Sequence, residues 1–76
     1  MPTTLRAANP TELGGALARA RRDAGLTQQE LADRAGFDRA YLSRMESGLA
    51  TEQVQRLFLV LRALHLELAV SPRRQA

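Results

Sequence analysis

Two short helical patterns separated by a glycine turn constrain this chain more than any other feature. They lie between Gln28 and Ser47, in QQELADRAGFDRAYLSRMES. Thr27-x-x-Glu30 has the spacing of a capping box, in which the threonine hydroxyl and the glutamate carboxylate each satisfy a free backbone N–H. A helix therefore starts at Gln28. Ala35-Gly36 ends it, because glycine takes the left-handed cap conformation at little steric cost. Asp38 can cap a second helix, which runs to about Ser47 before Gly48 stops it. Leu31, Ala35, Phe37, Leu42 and Met45 are the apolar positions. Ala32 is small enough for another helix to cross closely.

Two short helices joined by a glycine-containing turn make a helix-turn-helix. That arrangement names a surface. If Leu42 and Met45 face the core, then Arg39, Ala40, Ser43 and Arg44 face away from it on a single helical face. Arginine can bond O6 and N7 of guanine in a fork, a serine hydroxyl can donate or accept, and an alanine methyl can pack on a thymine methyl. Each residue alone could equally be ordinary solvated surface. Their conjunction with the caps, the turn and the apolar spacing is what favours reading DNA.

Composition narrows the alternatives. A chain of 76 residues makes one domain, and one whose core is small. It has no cysteine, so neither a disulfide nor a thiolate zinc site can staple it. The single histidine, His65, cannot build a metal site unaided, and no metal or cofactor is expected. His65 reads as a packing or surface residue rather than a catalytic one. An enzyme is disfavoured: beyond that histidine there are no paired carboxylates near a candidate nucleophile. There is no signal-like apolar run and no apolar stretch of about 18 residues, so a soluble, cytoplasmic, nucleoid-associated protein without membrane contact is expected.

Net charge is +3, and all eleven basic residues are arginine. Arginine suits forked contacts to phosphate and guanine. A genomic bias toward arginine and alanine codons would give the same composition. The distribution says more: from Arg39 onward six arginines face three acids, whereas five balance five before it. The excess starts at the proposed reading helix, as a phosphate-facing surface requires.

Along the rest of the chain, residues 1–8 lack useful periodicity and read as a flexible arm. Residues 9–71 read as the DNA-binding and dimerisation domain. Asn9 caps a first helix with Pro10 at its first position and Glu12 completing a box-like spacing. That helix runs to about Ala24, with Leu13, Leu17, Ala20 and Ala24 as its inner stripe and Gly25 as its stop. Gly14-Gly15 weakens its first turns. A fourth helix follows from about Glu52 to Leu64, capped by Thr51. Val54, Leu57, Leu61 and Leu64 form its inner stripe. Phe58, Leu59 and Val60 widen that stripe until one side of a small domain cannot cover it, which points to a second subunit.

His65 to Ser71 changes period. Leu66, Leu68 and Val70 alternate with His65, Glu67 and Ala69, which is strand spacing. With no other strand expected, its ladder partner would be the same strand of a second copy, paired about a two-fold axis; the segment could instead continue the helix. Phe58, Leu66, Leu68 and Val70 are the expected dimer contacts. Residues 72–76 read as a basic tail.

LTQQELADRAGFDRAYLSRMESG resembles the helix-turn-helix of the lambda-Cro-like, xenobiotic-response-element superfamily of repressors. Leu26, Thr27, Gln28, Glu30, Leu31, Ala32, Gly36, Tyr41, Leu42, Ser43, Arg44, Glu46 and Gly48 carry the resemblance, which extends over about residues 12–65. It implies a lambda-repressor-like, all-α fold, here of four helices plus a C-terminal strand. VQRLFLVLRALHLELAV followed by SPR is similar to the end of Hip-type antitoxins, whose strand pairs across a dimer. The resemblance implies a repressor acting on an inverted-repeat operator of double-stranded DNA, as the antitoxin of a module that includes a kinase-fold toxin. A stand-alone dimeric regulator and a protein-interaction module without DNA remain alternatives. By resemblance, Arg39, Ala40, Ser43 and Arg44 read bases, and Thr27, Gln28 and Tyr41 meet phosphate. The resemblance also implies a structural ion pair between Arg21 and Glu46. The loop 49–53 lacks the basic and proline residues common there, which argues against a loop–phosphate contact.

Overall fold

The computed structural model describes residues 4–73. Residues 1–3 of the expected arm and 74–76 of the expected tail lie outside the described residues. The chain forms β1 (Leu5–Ala7), α1 (Pro10–Asp23), α2 (Gln28–Ala35), α3 (Arg39–Glu46), α4 (Glu52–Ala63) and β2 (Leu68–Val70).

Every helix begins on a side chain that replaces a missing intrahelical acceptor. Asn9, Thr27, Asp38 and Thr51 accept from the N–H groups of Glu12, Glu30, Tyr41 and Val54. At α2 the box is complete: the Thr27 N–H also donates to Glu30 Oε1 at 2.9 Å. These bonds hold the Glu30 carboxyl below the usual carboxylate range, the Thr27 N–H first and its hydroxyl second. Gly36 closes α2 in the left-handed conformation, with φ of 88°, and Asp38 caps the next helix two residues on.

The core is thin. Leu42 (2% exposed) and Phe58 (5%) are its large side chains, surrounded by Ala7, Ala16, Ala18 and Ala32. Small residues dominate because the helices approach closely. A Cβ built on Gly14 would stand 2.5 Å from the Met45 carbonyl oxygen and 2.7 Å from that of Glu46. Gly14 is therefore where α1 crosses the end of α3. The inner face of α1 is rotated from the expected stripe accordingly: Gly14, Ala16 and Ala18 are buried, Leu13 and Leu17 are half-buried, and Ala20 and Ala24 are exposed.

β1 and β2 pair antiparallel, with Leu5 opposite Val70, Arg6 opposite Ala69 and Ala7 opposite Leu68. Two expectations are corrected. The flexible arm 1–8 contains a strand whose Ala7 is fully buried, so the folded unit starts by Leu5. Three residues are too few for alternation to register in sequence. The C-terminal strand, expected to pair with its copy in a second subunit, finds its ladder partner in β1 of its own chain.

Strand β2 is shorter than the alternation suggested because the closure of α4 takes up His65 and Leu66. The His65 N–H donates to the Arg62 carbonyl and the Leu66 N–H to that of Leu61, at 3.1 and 2.8 Å. This Schellman closure takes Leu66 into the helix end. His65 occupies its left-handed position with φ of 57°, where glycine is usual. Phe58 is corrected too: it points into the core rather than toward a partner, leaving Leu57, Leu59, Val60, Leu64 and Leu66 as the exposed apolar residues of this end of the chain.

Candidate nucleic-acid interface

Leu42 and Met45 fix the orientation of α3, and the four expected base readers follow from that. Leu42 is buried and Met45 half-buried; Arg39, Ala40, Ser43 and Arg44 are all exposed. Neither Arg39 nor Arg44 is in an ion pair among the described residues. Both guanidiniums therefore keep their donors for an outside acceptor.

Tyr41, expected near phosphate, is exposed on α3. Its ring meets Phe37 edge-on, with centroids 5.4 Å apart and planes at 69°. The Arg44 guanidinium carbon lies 5.8 Å from the Tyr41 centroid. Phe37, Tyr41 and Arg44 thus form a stack along one side of α3, with the cation over the electron-rich ring face. The exposed phenol completes the same surface.

Beneath this face lies a network that sets the angle between helices. Arg21 Nε donates to Glu46 Oε2 at 2.7 Å and Arg21 Nη2 to Oε1 at 3.1 Å, a fork-to-fork pair with both side chains nearly buried. Arg21 Nη1 donates to the Leu26 carbonyl at 2.8 Å. Gln28 Nε2 donates to Glu46 Oε1 at 2.9 Å. One carboxylate therefore gathers the end of α1, the start of α2 and the end of α3. Burial works to raise the Glu46 pKa, but hydrogen bonds from Arg21 and Gln28, with the charges of Arg21 and Arg22, outweigh it and hold it low. The Arg21 guanidinium is correspondingly raised, chiefly by its hydrogen bonds to Glu46.

Sequence reasoning assigned Thr27 and Gln28 to phosphate. In the structure the Thr27 hydroxyl caps α2 and the Gln28 amide serves Glu46. Nothing in the local sequence marks Gln28 for Glu46, since the contact depends on how α2 and α3 are set. Among the described residues no cluster of histidine, cysteine, aspartate and glutamate could hold a metal ion. No described helix is long and apolar enough to cross a membrane.

The architecture is that of a helix-turn-helix protein, with α2 and α3 as the motif and α1 as its brace. The chain belongs to the helix-turn-helix family HTH_3, which it matches over residues 17–70. It is also 42% identical over 59 residues to y4dJ of Sinorhizobium fredii (strain NBRC 101917 / NGR234), named an uncharacterized HTH-type transcriptional regulator; the match covers 74% of this chain and 77% of that protein. No solved structure matches the chain significantly.

Proposed function

We propose that this protein is a sequence-specific DNA-binding transcriptional repressor that works as a homodimer. The observation that carries the reading is the exposed face of α3, where Arg39 and Arg44 form no ion pair among the described residues, on a helix anchored by Leu42 and Glu46. Membership of the helix-turn-helix family supports DNA binding and transcription regulation. Arg39, Ala40, Ser43 and Arg44 read base edges in the major groove. The N–H groups at the start of α2, with Thr27 and Gln28 beside them, face phosphate.

The dimer is argued from α4 and the small sheet. Leu57, Val60 and Leu64 fall on one exposed stripe at helical spacing. The two-stranded sheet leaves its outer edges unpaired within the chain. A second copy covers both at once, with Leu66, Leu68 and Val70 near the join.

The finer role proposed is antitoxin of a Hip-type module, repressing its own operon and binding a kinase-fold toxin. Its support is the sequence similarity of the α4–β2 segment. A stand-alone regulator is the second reading, and the name of the Sinorhizobium relative favours it. A salt-dependent gel shift on the protein's own promoter tests the DNA reading. Specific retardation, weakening steeply with salt, supports it; retardation no stronger than on random DNA refutes it. Co-purification with the product of an adjacent kinase-fold gene tests the antitoxin role.

A further inference from the structure

An apolar cavity of about 290 Å³ opens between α1, α3 and the start of α4. Leu13 and Leu17 of α1, Met45 of α3 and Val54 of α4 form its walls, and Tyr41 and Arg44 stand at its edge. An apolar cavity of about 150 Å³ suffices for benzene, so this one accommodates roughly ten non-hydrogen atoms.

Its charge is as specific as its shape. Arg44 is the only charged residue in the lining. The acids of the surrounding elements are engaged elsewhere. Glu12 accepts from the Ala8 N–H at the start of α1, Glu46 holds Arg21 and Gln28, and Glu52 is paired with Arg56. An anion entering beside Arg44 therefore meets a cation with no counter-ion among the described residues, over walls that suit a hydrocarbon body.

We propose that this cavity binds a small amphipathic monocarboxylate, with a medium-chain or aryl apolar body inside and its carboxylate on Arg44. The ligand takes the donors that Arg44 otherwise presents to DNA, so occupancy lowers operator affinity. That regulatory half rests on the DNA reading above; the binding half does not.

The full chain is titrated with octanoate, and with 1-octanol as an uncharged analogue, while methyl resonances are followed by NMR. The expected result is saturable binding with shifts at Leu13, Leu17 and Val54. Octanol and the Arg44→Gln variant should each bind at least about tenfold more weakly, the loss of one charge-assisted contact. Ala50→Leu, which adds bulk in the loop wall, should abolish binding while the circular dichroism spectrum stays helical. Absence of saturation overturns the proposal. So does equal binding of octanol, undiminished binding by Ala50→Leu, or shifts confined to Leu57, Val60 and Leu64, which would mark loose adsorption on the exposed stripe. In gel shifts, saturating octanoate should weaken wild-type operator binding at least fivefold; an unchanged affinity overturns the coupling. Should the protein fail to bind DNA at all, the titration still decides the site independently.

Discussion

Gln28 and Glu46 are joined by a 2.9 Å hydrogen bond that ties the first residue of α2 to the last of α3. The same carboxylate receives the fork of Arg21. One side chain thus links α1, α2 and α3. Replacing Glu46 by alanine leaves a nearly buried guanidinium without its partner. The expected cost is about 1.5–3 kcal/mol, typical of lost bonds to charged groups. For a domain this small each kcal/mol lowers Tm by about 4–8 °C. A thermal melt within two degrees of wild type would show the network to be ornamental.

Acid should act through the same group. The Glu46 pKa is lowered on folding, as is that of Glu30, so the unfolded chain binds protons more readily. Their stabilisation is complete above the ordinary glutamate value, about 4.3, and is lost as pH falls through the lowered folded values. Wild-type Tm should drop on acidification below about pH 5, and Glu46→Gln should show a shallower drop. Parallel acid limbs in the two proteins would contradict the assignment.

Adjacent glycines in α1 should respond oppositely to the same substitution. Gly14→Ala drives a methyl into the carbonyls of Met45 and Glu46. Backbone cannot yield cheaply there, and a loss of about 1–3 kcal/mol is expected. Gly15 has open space around its Cβ position. Gly15→Ala should stabilise by up to about 1 kcal/mol through helix propensity. Urea titrations of the two variants in parallel provide the measurement.

His65 holds a left-handed backbone that glycine adopts freely. His65→Gly should raise stability by several tenths of a kcal/mol or more, since the left-handed form costs other residues about 1–2 kcal/mol. Glycine's greater freedom in the unfolded chain takes back part of that gain. A lowered midpoint in urea would mean that the imidazole makes a compensating contact.

Arg44→Ala should cost about 1–3 kcal/mol on the operator and relax preference at one base pair in each half-site. Binding-site selection should return an inverted repeat with half-sites about one helical turn apart. An asymmetric consensus, or one unchanged when Arg39 and Arg44 are both alanine, would place the DNA on another face. Because Gln28 serves Glu46, Gln28→Ala should lower Tm as well as weaken operator and random DNA alike.

Val60→Arg should separate folding from association. Val60 is exposed in the single chain, so its replacement leaves the core intact while placing charge in the proposed dimer stripe. Sedimentation at micromolar concentration should show a dimer for wild type and an 8.4 kDa species for the variant. A wild type already at that mass refutes the dimer.

What the sequence made legible was local. Asn9, Thr27, Asp38 and Thr51 start their helices through bonds to residues three positions on, so spacing alone reveals them. The exposed face of α3 follows from Leu42 and Met45 in the same way. Features set by tertiary contact were not legible. Leu5–Ala7 is a strand only because Leu68–Val70 lies beside it. Phe58 could as well have faced a partner as the core until α1 was placed. Gln28 finds Glu46 only once α2 and α3 are fixed. Gly14-Gly15 read as a weakness of α1, whereas Gly14 is the point of closest helix approach.

The pairing of β1 with β2 has a kinetic side. The Arg6–Glu67 ion pair that accompanies it spans 61 positions of the chain, whereas the helix caps span three. Closing so long a loop loses entropy that only an already assembled body can repay. The helices should condense first and the sheet zip shut afterwards as a clasp. During synthesis Leu5–Ala7 emerges well before Leu68–Val70 and must wait, edge unsatisfied, until that strand has left the ribosome. Amide exchange should accordingly find this clasp opening far more often than α3, which makes it the place where proteolysis begins.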